Sequence, residues 1–443
     1  MKSGKKSLMK VLWFTNTPSL GAQHLNTTVI GGGWIESLEE WLTKTTNLEL
    51  GVVFKWNETP LSPFTMGKTR YYPVFNPEPG GRFKKILRRW QHKIENGENN
   101  QKYLSIIQEF KPDLIHIFGT ENDFGLIIPE TSIPCIIHIQ GNLTVYNHKW
   151  FSGLSLLDVF RYSGKWKLLR GLGLLHEYVR YGKEAEREQK IFKSCHFFMG
   201  RTDWDRRIAL SLSPGSKYFH CEEMLRKEFY AHQWNPDSFN NKNGCTILTT
   251  IRKNIYKGLE TILECKRILQ KNLPGLKVQW KIAGITHDDE VAYLTERIYK
   301  EKFADYNIQL LGPLSVDQLI DEMLGADLFI HPSHIDNSPN SVCEAMILGM
   351  PIISTYAGGI PSLLADKKEG LLVQDGDPYA LCGAIIELSN DRQFATSLGL
   401  NARVRALSRN SDQKIVSSVM RAYDRVIDVT ASIVSSGKSY TQN

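Results

Sequence analysis

The chain has 443 residues, too many for one ordinary core, and its 42% hydrophobic and 23% charged content is that of a soluble globular protein with two domains. A net charge of +7 is mildly basic, and the basic residues concentrate at 82–93 and 161–183, where anionic lipid or phosphorylated ligands would meet them. Seven scattered cysteines, an odd number with no CxxC pair, argue against both a disulfide framework and a zinc site and fit a reducing cytosol.

The elements follow in chain order. The start, MKSGKKSLMKVLWF, is basic, but its apolar run is short and leads into polar TNTPS, so no signal peptide is expected. No stretch approaches the ~20 apolar residues of a spanning helix. KVLWF (10–14) reads as a buried strand. Glycines 31–33 follow, then a helix with Trp34, Leu38, Trp41 and Leu42 on one side. LELGVVF, DLIHIF, CIIHIQ and HFFMG are further strands separated by helical or polar segments, the rhythm of a parallel sheet with crossover helices. Polar and turn residues cluster at 234–244. A second series then begins with CTILTT, KVQWKIAG, IQLLG, DLFIHPS, PIIST and GLLVQ. The fold class is therefore α/β, two doubly wound domains facing across a cleft, with boundaries at 1–235 and 236–412. The pattern Val416, Val419, Met420, Tyr423, Val426 and Ile427 gives an amphipathic helix within 413–443 that packs back on the first domain.

The stretch HIDNSPNSVCEAMILGMPIIS (334–354) holds one charge, Glu344, in an otherwise apolar helix. Ser338 fits the N-cap and Pro339 the first helical position. Asn340 and Ser341 then lie in a first turn whose free N–H groups favour an anion. Burying a bare carboxylate is costly. Glu344 therefore either accepts from a vicinal diol such as a ribose, pairs with an internal Arg or Lys, or reaches solvent.

HPSHIDNSPNSVCEAMILGMPIISTYAGGIP resembles the donor segment of the family 4 retaining glycosyltransferases, whose fold is GT-B. Asp336 and Glu344 have the spacing of that family's E-x7-E pair, with Asp in the first place. IRKNIYKGLETIL is similar to its G-R-x-x-x-x-K-G segment, with Ile251 replacing the leading glycine. WKIAG, LLGPLSVDQL and GGGWIESL extend the resemblance.

The resemblance implies an N-terminal acceptor domain and a C-terminal donor domain. It implies Arg252 and Lys257 on the donor pyrophosphate, Asp336 on the sugar hydroxyls and Glu344 on the ribose. Asn340, Ser341, Gly32, Gly33, Gly312 and Leu314 would complete the donor site. Gln140 stands where many relatives carry a histidine, so it can hydrogen-bond but not take a proton; His138 is read as a core histidine. Arg201 and Asn142 are acceptor or phosphate candidates, Arg201 being equally suited to a structural ion pair.

The implied reaction is retaining transfer from a nucleotide-diphosphate sugar, such as a UDP-sugar, to a glycan or lipid-linked acceptor in surface polysaccharide synthesis, with no cofactor or metal. DGD (375–377) reads as a turn and helix start rather than a metal motif. The competing readings are an epimerase or phosphorylase of the same fold, and a non-catalytic nucleotide-sugar-binding protein. RFKKILRRWQHKI (82–94) has an apolar stripe of Phe83, Ile86, Leu87, Trp90 and Ile94 amid cations. Segment 161–183 has Leu168, Leu172, Leu175 and Val179 at helical spacing. Both suit either an anionic membrane surface or, for the first, docking on its own domain. The expected place is the cytoplasm, peripherally on the inner face of the membrane, and no nucleic-acid partner is expected.

Overall fold

In the computed structural model, the residues described are 8–25, 33–77, 80–239 and 244–436. Gly32 of the expected glycine loop lies outside them. The chain divides into two units. The first comprises residues 1–144, 180–224 and 410–443, and the second 145–179 and 225–409. The sequence reading put 145–179 in the first domain; the chain instead folds it into the second.

Eight strands build the first sheet: β1 (Met9–Thr15), β2 (Leu48–Trp56), β3 (Phe64–Met66), β4 (Thr69–Phe75), β5 (Leu114–Phe118), β6 (Cys135–His138), β7 (Phe197–Gly200) and β8 (Lys217–His220). Their order is β3-β4-β2-β1-β5-β6-β7-β8, with β3 antiparallel to β4 and every other neighbour parallel. Side chains alternate across a strand, so β1 feeds two cores. Val11 and Trp13 pack with Trp34, Leu38 and Leu42 of helix α1 (Gly33–Thr45). Leu12 and Phe14 pack on the opposite face with Tyr103, Ile107 and Phe110.

Trp41, expected on the buried side of α1, is exposed. Helix α2 (Arg82–Trp90) follows β4. The C-terminal helix Asp412–Ser435 lies over β1 and β5: Trp13 Nε1 donates to Tyr423 Oη at 3.0 Å, and His116 Nδ1 is 2.6 Å from the same oxygen.

The second sheet is wholly parallel: β9 (Gly244–Thr250), β10 (Lys277–Ala283), β11 (Ile308–Gly312), β12 (Leu328–His331), β13 (Ile352–Thr355) and β14 (Leu371–Val373). Each of the apolar runs 245–250, 277–284, 308–312, 327–333, 351–355 and 370–374 coincides with one of these strands to within two residues at either end. β12 and β13 are buried throughout, as parallel strands covered on both faces are, whereas β10 alternates its buried residues with Lys277, Gln279 and Lys281. The order β11-β10-β9-β12-β13-β14 places β9 at the centre. The chain steps outward to β11, then returns to the other side of β9, so the loops after β9 and β12 diverge at a topological switch point.

Residues 145–179 contain two short helices, Leu156–Tyr162 and Lys165–Leu169, and the start of the long helix Leu174–Ser194, rather than the single amphipathic helix expected over 161–183, because Ser163-Gly164 and Gly171–Gly173 interrupt it. Val159, Leu154 and Leu174 pack on Ile255 and Leu294. Among the described residues no helix is long and apolar enough to cross a membrane.

Candidate functional site

Three loops at the carboxyl ends of the second sheet, after β9, β12 and β13, meet at Asp336. The loop after β9 carries Arg252 and a single turn Ile255–Lys257. The loop after β12 carries Asp336. Their close approach requires Gly258, with φ +78°, since a Cβ there would stand 2.2 Å from the Pro332 carbonyl oxygen. On the other side Gly358, after β13, has φ +56°. A Cβ there would stand 1.9 Å from the Asp336 carbonyl oxygen, which instead accepts from Gly359 N–H at 2.9 Å.

This backbone brings two expected site residues into contact. Lys257 Nζ donates to Asp336 Oδ2 at 2.5 Å, and His331 Nε2, at the end of β12, is 3.1 Å from the same oxygen. Burial opposes ionisation of Asp336, but the Lys257 charge and then His331 more than offset it, holding the carboxyl well below the usual range. Burial likewise lowers the His331 pKa, with Asp336 opposing it. The result is an ionised carboxylate fixed beside a cation that is itself 14% exposed.

Arg252 is exposed at the start of the same loop. Lys253, beside it, ties this loop to the one after β10 through Asp289 at 2.7 Å. Gly312, with φ +73°, ends β11 and accepts from Gly284 N–H at 2.8 Å; Leu314 beyond it is half-buried.

The helix holding Glu344 spans Asn340–Leu348, with Pro339 itself the N-cap. That corrects the expected Ser338 cap by one position; Pro339 has ψ 122° and so stays extended. Asn340 is exposed and Ser341 half-buried in the first turn, where backbone N–H groups lack intrahelical acceptors.

Glu344 is 2% exposed and does not stand alone. Arg226 Nε donates to its Oε1 at 2.7 Å, so the argument from an unpaired carboxylate to a ribose is corrected. Of the three alternatives drawn from the sequence, the internal cation is the one realised. Burial raises the Glu344 pKa and Arg226 works against that rise.

A second buried pair lies under the same loop. His334 Nε2 is 2.7 Å from Glu260 Oε1, and His334 Nδ1 is 3.5 Å from Asp375. Asp377 of the DGD stretch caps the helix Pro378–Asn390, accepting from Tyr379 and Ala380 N–H at 2.9 Å, as a turn and helix start should. Among the described residues no group of three or more His, Cys, Asp and Glu is arranged to hold a metal. His331, His334, Glu260 and Arg226 were not singled out from sequence; a histidine closing the apolar run DLFIH was the signal for His331.

The remaining candidates belong to the first unit. Gly33 opens α1. Gln140 follows β6 and hydrogen-bonds Glu223, whose carboxyl burial pushes up to about 7 against the opposing charge of Arg201. Arg201 is 5% exposed and its Nη1 bonds Glu223 at 2.7 Å, the structural ion pair that the sequence left open, so it is no free phosphate ligand. Asn142 is fully buried and donates to Asp205 at 3.3 Å, which corrects its assignment as an acceptor contact. His138 is fully buried, held neutral to about 3 chiefly by burial, and meets Trp34 edge-on at 5.2 Å. It is a core histidine.

Residues 232–405 match the family model for glycosyl transferases group 1. That stretch runs from before β9 into the helix Arg392–Arg409. The chain is similar to the amylovoran biosynthesis glycosyltransferase AmsK of Erwinia amylovora, 28% identical over 182 residues that cover 38% of this chain and 44% of that protein. The matches span about a third to a half of the length of the first curated relatives.

Among solved structures, the sucrose-phosphate synthase of Thermosynechococcus elongatus superposes with a TM-score of 0.67 at 15% identity, covering 95% of this chain and all of that one. HepE of Anabaena in complex with UDP-glucose superposes with a TM-score of 0.59 at 15% identity, covering 94% and 100%. The fold is GT-B.

Proposed function

We propose that the chain is a retaining glycosyltransferase. It moves a hexosyl or N-acetylhexosaminyl group from a UDP-sugar to a glycan or lipid-linked acceptor in surface polysaccharide assembly, in the cytoplasm. The observation that carries this reading is the Lys257–Asp336 pair at the switch point, within the stretch that matches glycosyl transferases group 1. The names of AmsK and of the HepE complex support polysaccharide synthesis and a uridine donor. The seven free, buried cysteines support a reducing compartment.

In this reading the bond between the anomeric carbon and the distal phosphate oxygen breaks. The acceptor hydroxyl bonds to that carbon on the same face, and its proton passes to the departing phosphate. Charge grows on the diphosphate as this happens. Lys257, Arg252 and the first-turn amides of Asn340 and Ser341 stabilise it without a metal. Arg252 presents a planar fork and Lys257 a point charge. Asp336, kept ionised, accepts from the sugar hydroxyls and positions the ring.

The test is a thermal-shift screen of nucleotide sugars followed by measurement of released nucleotide diphosphate. A true donor at ~100 times its Kd stabilises the fold by ~2.7 kcal/mol. No shift with any nucleotide sugar and no release of diphosphate, with or without acceptor glycans, rejects the proposal.

A further inference from the structure

Two surfaces combine exposed large apolar side chains with cations. On α2, Phe83, Leu87 and Trp90 recur at helical spacing and face solvent, Phe83 with 78% of its surface exposed. Residues 82–90 hold five basic residues and no acid. Phe83 therefore stands clear of its own unit, while Ile86 on the same helix is half-buried. On the second unit, the helices Leu156–Tyr162 and Lys165–Leu169 expose Leu157 (73%), Phe160 and Trp166 (79%). Among them stand Arg161, Lys165, Lys167 and Arg170, all exposed. Of the acids there, Asp158 is engaged by Ser155 at the helix start and Glu290 lies 3.6 Å from Lys167.

Folded chains rarely leave such clusters bare without a partner. Charge decides what covers them. A second copy of this chain would bring two basic faces together. An anionic bilayer accepts both features at once: apolar side chains enter the acyl boundary, a tryptophan ring sits at headgroup depth, and lysine and arginine heads meet lipid phosphates.

We propose that α2 and the 156–169 helix pair are docking surfaces for an anionic lipid bilayer. The proposal does not rest on the transfer reaction, and its test uses no sugar nucleotide. The full chain is sedimented with phosphatidylcholine vesicles and with vesicles that also contain phosphatidylglycerol.

Binding to the anionic vesicles alone, weakened by salt, is the expected result. The variants Phe83→Glu/Leu87→Glu and Leu157→Glu/Trp166→Glu each lower the partition coefficient on the order of tenfold or more. Replacing Lys165 by Gln lowers it about fivefold. The exposed positions leave the thermal melt unchanged, which the same samples verify.

Equal binding to neutral vesicles, or no binding to anionic ones, overturns the proposal. So does a concentration-dependent dimer in sedimentation equilibrium that the same substitutions abolish, because a second copy is then the occupant. A variant that partitions like the parent removes its own surface.

Discussion

Replacing Lys257 by methionine keeps the length of the side chain and removes its charge. The cation lies 2.5 Å from Asp336 Oδ2, with 14% and 12% of the two side chains exposed. Removing one partner of a buried ion pair costs ~3–5 kcal/mol, and this slight exposure puts the expected loss at the lower end, ~3 kcal/mol. With an m-value of ~3 kcal/mol/M the urea midpoint of the second unit falls by about 1 M.

The double variant Lys257→Met/Asp336→Leu removes both charges and regains most of that stability. Turnover behaves differently: both variants stay down by ~10²–10³, the usual loss of a group that stabilises developing charge. The pH dependence follows from the depressed Asp336 carboxyl. Its stabilisation is complete above the unfolded value of ~3.9 and is lost as pH falls through the folded one. The parent therefore loses stability on acidification below about pH 4, and Lys257→Met loses less over the same window. A single variant that unfolds at the parental urea concentration refutes the structural half of this reasoning. A double variant with parental turnover refutes the catalytic half.

Arg226→Ala strips the guanidinium from buried Glu344 and costs ~1–2 kcal/mol, a figure reduced because Arg226 is itself 33% exposed. Since burial raises the Glu344 pKa, that cost grows as pH rises above ~4.3, which urea midpoints at acid and neutral pH will compare. His334→Gln removes a buried bond to Glu260. The pair raises the His334 pKa although burial opposes it, so its stabilisation is present below ~6.5 and lost as pH rises through the folded value. Melts should show a loss of ~2 kcal/mol at pH 6 and less at pH 9. Gly358→Ala forces a Cβ against the Asp336 carbonyl and should cost more than ~1 kcal/mol by urea unfolding, together with donor affinity.

Much of the fold was legible because parallel strands buried on both faces are short apolar runs bounded by polar turns, as in DLFIHPS and PIIST. Three strands escaped notice. β3 has three residues, β8 is a short edge strand, and β4 carries Pro73, which argues against a strand.

The family resemblance singled out Asp336 and Lys257 separately, but no local pattern says that residues 79 positions apart bond to each other. The Arg226–Glu344 pair spans 118 positions and is equally hidden. Burial of Glu344 was readable from its neighbours; its partner was not. The allegiance of 145–179 was invisible for the same reason, since Val159 meets Ile255 only in three dimensions.

The route of the backbone between the units has a practical corollary. The chain enters the second unit at Val145, leaves it after Val179, and joins it again at Leu225, so neither unit is a continuous piece of sequence. Splitting the gene at residue 235 would strand Leu154, Val159 and Leu174 without the Ile255 and Leu294 that cover them. A fragment cut from 236 onward would in turn present bare leucine and isoleucine to water. Expression of the halves should therefore yield two sticky products, whereas grafting 145–179 by a linker onto the fragment beginning at 225 restores the missing lining.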